Sequence, residues 1–168
     1  VDLLMSHHPS GRAFADLFAV MQMQADILNV FGVPINIAEG LMDGRMKEVE
    51  RRLMPANHMR AVDAARLIGI PFLCLHTPAD NMVTTYLQRF FDEQKPYYVA
   101  DVLDSLKNIP EYRTAGLQCV GPKIVLGSKK RKAGKIFVDM TGGTEGAREI
   151  FKSLSNSGVS TIVGMHIS

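Results

Sequence analysis

Cysteines and long apolar runs are both scarce in this sequence. Only two cysteines, Cys74 and Cys119, occur among the 168 residues. They provide no disulfide framework, so a reducing cytoplasm is the expected compartment. No apolar stretch approaches the ~20 residues that a bilayer-spanning helix needs. These absences exclude a disulfide-stapled scaffold and a membrane-spanning protein, and no membrane partner is expected.

A strong excess of either charge is also missing. Lys and Arg number 19 against 17 Asp and Glu, for a net charge of +2. This balance predicts no general attraction to nucleic acid or to anionic lipid. Hydrophobic residues make up 46% of the sequence, which is typical of a soluble globular chain with a sizeable core. The length suits one domain or two small lobes.

Two adjacent histidines, His7 and His8, follow a short apolar run at residues 1–5. Pro9 holds His8 in extended geometry and ends the element, so the pair lies at the exit of a predicted strand. In open α/β sheets, ligands gather just outside the carboxyl ends of strands, and neutral imidazole is a common metal ligand. The alternative is a histidine pair that caps the next helix.

A second predicted strand, residues 69–75, leads directly into His76 and Asp80. A helix start with Thr77 as the N-cap and Asp80 in the first turn would explain the carboxylate without a metal. It would not explain His76, nor the histidine pair at the end of a similar strand. We therefore favour metal binding by side chains from both strand exits. The two roles are compatible, because one carboxylate oxygen can accept a backbone hydrogen bond while the other binds a cation.

Strand and helix patterns alternate along the chain. Apolar spacing predicts helices at residues 12–31, 39–53, 58–68, 80–93, 99–108, 110–117 and 145–155, and strands at 1–5, 69–75, 123–126, 135–139 and 161–165. His58 follows a predicted Asn57 cap at the start of a helix, and we expect it to be structural. This order predicts an α/β fold with parallel sheets joined by crossover helices.

Two loops carry motifs that could bind anions. Residues 128–135, Ser-Lys-Lys-Arg-Lys-Ala-Gly-Lys, lie between two predicted strands, so a solvated hairpin tip is expected rather than a nucleic-acid patch. Nucleic-acid binding would need an oligomeric ring that repeats this turn on one face. Residues 141–146, Thr-Gly-Gly-Thr-Glu-Gly, could cradle an anion at a helix start. They match neither the dinucleotide fingerprint nor the P-loop, and a tight strand-to-helix turn needs glycines anyway.

Three motifs in order resemble the Nif-three-like family of dinuclear-metal proteins, also labelled GTP cyclohydrolase I type 2 homologues. They are Ser-His-His-Pro at 6–9, His-Thr-x-x-Asp at 76–80, and Val-Asp-Met-Thr-Gly-Gly-Thr at 138–144 with the later Ile-Val-Gly-x-x-Ile-Ser strand. The resemblance implies an α/β fold of two related lobes with mainly parallel sheets. It also implies a two-metal site in the cleft between the lobes and a toroidal homohexamer in the cytoplasm.

The same resemblance assigns the metal ligands. The family histidines that match His7 and His8 bind the two metals, the aspartate that matches Asp80 bridges them, and His76 matches a histidine close to the site. The metal residues expected here are therefore His7, His8, His76 and Asp80. No catalytic residue is assigned.

The sequence departs from the family pattern in three ways. The family completes its site with a histidine and an acid near the C-terminus, and it has a strand and a helix ahead of the paired histidines; this sequence shows neither. Both differences fit an internal portion of a longer protein. The longer spacing between the paired histidines and His76, with Met165 where the family is often acidic, indicates a divergent subgroup. We expect residues 1–95 to form the first lobe, 96–120 a helical connection and 121–168 the start of the second lobe.

Two cations with mixed imidazole and carboxylate ligands would activate a bridging water and polarise a substrate oxygen. Zn, Fe, Mn and Ni all suit these ligands. The sequence therefore favours a metal-dependent hydrolase that acts on a small nucleotide-like or phosphorylated molecule. The alternative is a non-catalytic ring protein that binds metal as a regulator or scaffold.

Overall fold

The computed structural model describes residues 1–165, which form two compact units. One unit contains Val1–Thr84 and Met140–Ser157, and the other contains Thr85–Asp139 and the described residues from Gly158 to Met165. The division expected from the sequence, into residues 1–95, 96–120 and 121–168, remains a prediction. The elements in chain order are β1 (Leu4–Ser6), α1 (Arg12–Ala15), α2 (Leu17–Val20), α3 (Gln22–Val30), α4 (Ile35–Leu53), α5 (Arg60–Leu67), β2 (Phe72–Cys74), α6 (Thr77–Gln94), α7 (Val99–Lys107), α8 (Pro110–Leu117), β3 (Lys135–Asp139), α9 (Ile150–Asn156) and β4 (Val159–Gly164).

The strands pair in parallel within each unit. In the first unit β1 pairs with β2, with Ser6 opposite Cys74, and the Leu75 amide extends the ladder by donating to the Ser6 carbonyl at 3.0 Å. In the second unit β3 pairs with β4, with Asp139 opposite Gly164. Parallel neighbours need crossover connections, and helices lie between both pairs in sequence. The α/β class is confirmed.

The first half of the helical pattern differs from the prediction. The single helix expected over residues 12–31 is instead three short helices, α1 to α3, with breaks at Asp16 and Met21. At the second break the Met21 amide donates to the carbonyl three residues earlier, a tighter turn than the α-helix uses. Despite the breaks, the segment buries Met21, Ala25 and Leu28.

Helix α4 begins earlier than predicted. The helix was predicted from residue 39, but α4 starts at Ile35, and the Pro34 carbonyl accepts from the amides of Ile37 and Ala38. Proline suits a helix start, because its fixed φ is compatible and its missing N–H is not needed there. The helix buries Ala38, Met42 and Val49 along one face, which holds it against the unit's core.

Helix α6 also begins before its predicted start at residue 80. The His76 carbonyl accepts the first intrahelical hydrogen bond, from the Asp80 amide at 3.0 Å, and the helix starts at Thr77. The residue that precedes the helix is therefore His76, which differs from the alternative helix start that had Thr77 as the N-cap. Asp80 lies in the first turn, where the helix dipole favours a carboxylate.

In the second unit, α7 and α8 match their predicted positions closely. Helix α7 buries Val102, Leu103 and Leu106, and Pro110 opens α8. The strand predicted over residues 123–126 is wrong, because the structure has no strand there and leaves Val125 and Leu126 exposed. Apolar residues form a strand only where a neighbouring strand accepts their backbone hydrogen bonds. Among residues 1–165, no helix is both long and apolar enough to cross a membrane.

The glycine-rich loop at residues 141–146 is a tight turn built around Gln24. Gly142 and Gly143 have φ of 97° and 93°, values that favour glycine. The buried Gln24 side chain donates through Nε2 to the carbonyls of Gly142 and Thr144, both at 2.7 Å. Helix α9 then begins at Ile150, five residues later than the predicted start at 145. The contacts with Gln24 support the turn interpretation of these glycines.

Candidate metal centre

The candidate site lies within the first unit, where the exits of β1 and β2 meet. His7 follows β1 directly, while His76 and Asp80 follow β2 at the start of α6. Because the two strands are parallel and in register, their carboxyl ends lie side by side. This pairing brings residues from distant parts of the sequence together at one sheet edge, as the two strand exits predicted.

Three side chains converge at this edge. One potential ligand atom from each of His7, His76 and Asp80 lies within 4.8 Å of the others. The His7 Nε2 atom is 3.3 Å from Asp80 Oδ1, and the His76 Nδ1 atom is 3.0 Å from Asp80 Oδ2. The two oxygens of one carboxylate therefore face two different imidazoles.

The carboxylate at the centre is almost completely buried. The Asp80 side chain is 6% exposed, against 15% for His76 and 44% for His7. A buried carboxylate needs a compensating positive charge or several hydrogen bonds. Among the described residues, the groups that face Asp80 are the two imidazoles. Helix capping therefore does not account for the position of this side chain.

The tautomer of His7 follows from its second ring nitrogen. Its Nδ1–H donates to the Leu75 carbonyl at 3.2 Å, which leaves Nε2 to face Asp80. In the neutral ring Nε2 carries a lone pair, and a lone pair directed at a carboxylate oxygen is repulsive. A metal ion between the two groups would turn this repulsion into attraction, because Nε2 and the carboxylate oxygen could both ligate it.

The donor set fits a divalent metal ion. Imidazole nitrogen and carboxylate oxygen together suit zinc and the other late first-row metals. A backbone carbonyl that orients a ligating histidine through its other ring nitrogen is a frequent feature of protein metal sites. Leu75 supplies that carbonyl here. The group of His7, His76 and Asp80 can thus bind a metal ion.

His8 lies at the edge of this group rather than within it. Its ring centroid is 5.3 Å from that of His7 and 5.7 Å from that of His76, and the three-residue group does not include it. His76, expected close to the site, is instead one of the three converging residues. The metal roles of all four residues stay predictions.

The remaining histidines are accounted for separately. His58 donates from Nε2 to the Leu53 carbonyl at 2.8 Å, and its ring contacts Phe14 edge-on, which agrees with its expected structural role. His166, which the sequence places at a different strand end, lies outside the described residues. The sequence did not reveal the role of the Leu75 carbonyl, because every residue type carries a backbone carbonyl.

Comparison with known proteins supports the fold. The chain is similar to a NIF3 superfamily protein from Sphaerobacter thermophilus of known crystal structure, at 26% sequence identity and a TM-score of 0.86. The similarity covers 99% of this chain and 62% of that one, so the chain spans less than two thirds of that protein's length. No family model matches the chain. No curated protein matches it either.

Proposed function

We propose that this chain, which belongs to the Nif-three-like family, is a metal-dependent hydrolase. In this proposal the chain holds two divalent cations, and the ligands are His7, His8, His76 and Asp80. The observation that carries this proposal is the shared carboxylate of Asp80. Each of its oxygens faces a different imidazole, at 3.3 Å and 3.0 Å. A carboxylate in this position can serve two ions at once. The proposed metals are Zn, Fe, Mn or Ni.

The exposure of the ligands supports a reactive site rather than a closed structural one. Asp80 and His76 lie on the protected side, whereas His7 and His8 are exposed. This leaves one side of the group open, and an open coordination position is what distinguishes catalytic from structural metal sites. Bound cations would supply Lewis acidity and a water activated for hydrolysis at neutral pH.

The chain's own residues set the position of that chemistry. The Leu75 carbonyl accepts from the His7 Nδ1–H, and the first turn of α6 carries Asp80, whose Oδ1 lies 3.3 Å from His7 Nε2. Because the Asp80 carboxylate is buried, solvent screens its negative charge less than it would screen an exposed carboxylate. We propose a small nucleotide-like or phosphorylated substrate, because phosphate and purine oxygens are suitable partners for such cations. Opening of the guanine ring of GTP is the first reaction to test.

The test measures metal content and turnover on the same samples. The chain is loaded separately with Zn²⁺, Mn²⁺, Fe²⁺ and Ni²⁺, excess metal is removed, and metal per chain is measured by elemental analysis. Each sample is then incubated with GTP and with a set of nucleotides and sugar phosphates. Asp80→Asn removes the shared carboxylate, and His58→Gln is the matched control at a histidine outside the site.

Two ions per chain with turnover that Asp80→Asn abolishes would support the proposal. Two ions without turnover of any substrate would contradict the hydrolase and favour the metal-binding scaffold. Absence of retained metal would contradict both. The His58→Gln variant is expected to retain metal and turnover.

We also propose a homohexameric assembly in the cytoplasm. Exposed apolar side chains on β1 and β2 and beside them, among them Leu3, Met5 and Leu73, support association with further protein surface. Cys74 and Cys119 are both free thiols, which suits a reducing compartment. Light scattering of the purified chain tests the assembly, and a monomer across the accessible concentration range would contradict it.

A further inference from the structure

A run of four cations, Lys129, Lys130, Arg131 and Lys132, lies in the second unit on a loop at residues 128–134, here called the basic loop. All four residues are exposed. The expectation of a solvated hairpin tip required a strand at residues 123–126, which the structure does not contain. The loop precedes β3 and is docked against the start of α7 instead.

Backbone hydrogen bonds hold the basic loop in place. The first two amides of α7, from Val99 and Ala100, donate to the carbonyls of Arg131 and Lys129 at 2.9 Å and 3.1 Å. The Ala133 amide donates to the Tyr97 carbonyl at 2.8 Å. These bonds satisfy helix amides that otherwise lack partners. The loop is therefore an ordered cap for α7, and its side chains remain free to bind.

The positive charge of this loop is not compensated within the described part of the chain. Among residues 1–165, none of the four cations forms an ion pair with a carboxylate. They lie beside a helix N-terminus, which is itself electropositive and disfavours cations. The nearby Asp101 carboxylate already accepts from the amides of Tyr97 and Tyr98 through Oδ2. An anionic partner would relieve this repulsion.

Two exposed aromatic rings adjoin the same loop. Tyr97 is 57% exposed and Tyr98 is 43% exposed, and their rings are perpendicular with centroids 4.8 Å apart. The Lys132 ammonium lies 5.2 Å from the Tyr97 ring centroid. Exposed aromatic rings beside a basic track are the combination that binds single-stranded nucleic acid, because bases stack on the rings while cations contact phosphates.

We propose that the basic loop and the tyrosine pair form a binding surface for single-stranded nucleic acid. The cations contact the phosphates, and Tyr97 and Tyr98 provide stacking surfaces for unpaired bases. An anionic membrane or an acidic peptide would use the charges but would not require two adjacent rings. A duplex offers phosphates but no free base faces.

The experiment measures binding of a fluorescently labelled oligo(dT) of about 20 nucleotides to the full chain by anisotropy over a range of salt concentrations. Lys129→Gln/Lys130→Gln should weaken binding about five- to ten-fold near 0.1 M salt and reduce the salt slope by about 1.4, since each phosphate contact on a single strand contributes about 0.7. Tyr97→Leu/Tyr98→Leu should weaken binding about five-fold or more, because stacking is lost, and should leave the salt slope unchanged.

The matched control is Arg51→Gln/Arg52→Gln, which removes two exposed charges from α4 in the other unit. It should bind oligo(dT) like the unmodified chain. Equal loss in this control, equal affinity for a duplex of the same length, or unchanged affinity in the tyrosine variant would overturn the proposal. Binding to phosphatidylserine vesicles with none to oligo(dT) would also overturn it. Circular dichroism confirms that each variant is folded.

Discussion

His7 donates its Nδ1–H to the backbone carbonyl of Leu75, the residue that extends the ladder beyond β2. This bond connects the exits of the two parallel strands and orients the His7 ring toward Asp80. The candidate metal centre is therefore built on sheet geometry, with a backbone group fixing the ligand. Rigid elements hold such constellations more accurately than mobile loops do.

The first prediction concerns the shared carboxylate. Asp80→Asn keeps the shape of the side chain but removes its charge, so metal affinity should fall by about 100-fold or more, beyond the 10- to 100-fold typical of outer-shell changes. Isothermal titration with Zn²⁺ or Mn²⁺ measures the loss. Asp63→Asn, at an exposed carboxylate on α5, is the control and should change nothing. Full metal affinity in Asp80→Asn would show that this carboxylate is not a ligand.

The second prediction separates the two adjacent histidines. His7→Gln should abolish tight binding, because His7 belongs to the converging group. His8→Gln should reduce the stoichiometry from two ions to one while the first ion still binds. Elemental analysis after dialysis measures both. Identical behaviour of the two variants would contradict the separate positions of these rings.

The third prediction links metal binding to stability and pH. A saturating metal, at about 100 times its Kd, should stabilise the chain by about 2.7 kcal/mol and raise Tm by roughly 5–10 °C. Ligating imidazoles must be neutral, so this shift should shrink as the pH is lowered from about 7.5 to about 5.5. Thermal unfolding with and without metal measures it. A shift that persists in Asp80→Asn would place the metal elsewhere.

The fourth prediction tests the glycine-rich loop. A Cβ at Gly146 would lie 2.6 Å from Gln24 Oε1 and 2.9 Å from Ile150 Cδ1. Because Gln24 is buried and already donates two hydrogen bonds, Gly146→Ala should destabilise the chain by about 1–3 kcal/mol. Gly44→Ala in α4 meets open space and should stabilise by about 0.5–1 kcal/mol. Urea unfolding compares the two, and equal effects would contradict the packing around Gln24.

The fifth prediction concerns alkaline pH. Burial raises the pKa of Tyr112 above its usual value, and the neighbouring Glu111 carboxylate adds to the shift. The folded state therefore holds this proton more tightly than the unfolded chain. The associated stability is present below about pH 10 and is lost as the pH rises further. Tyr112→Phe should flatten the alkaline loss of stability, whereas Tyr86→Phe, at an exposed ring, should not.

Local patterns in the sequence were sufficient for the class of fold and for the two strand exits at which the candidate residues lie. The two strand exits at His7 and His76 could be predicted because apolar runs end there in residues that stop a strand or start a helix. Helices α7 and α8 could be predicted because their apolar spacing and the leading Pro110 act within a few residues. These patterns involve only residues close together in the sequence, so they can be recognised without knowing which helices and strands pack against each other.

Tertiary structure alone decided which of these elements meet and which fail to form. The pairing of β1 with β2 brought Asp80 between two imidazoles. Residues 123–126 form no strand, because no neighbouring strand pairs with their backbone; β3 pairs with β4 instead. The predicted helix at residues 12–31 is three short helices, and the basic loop, expected to be a hairpin tip, is docked against α7 as a cap while its side chains stay exposed. Each outcome depends on contacts between residues far apart in the chain, which residue types and local spacing do not encode.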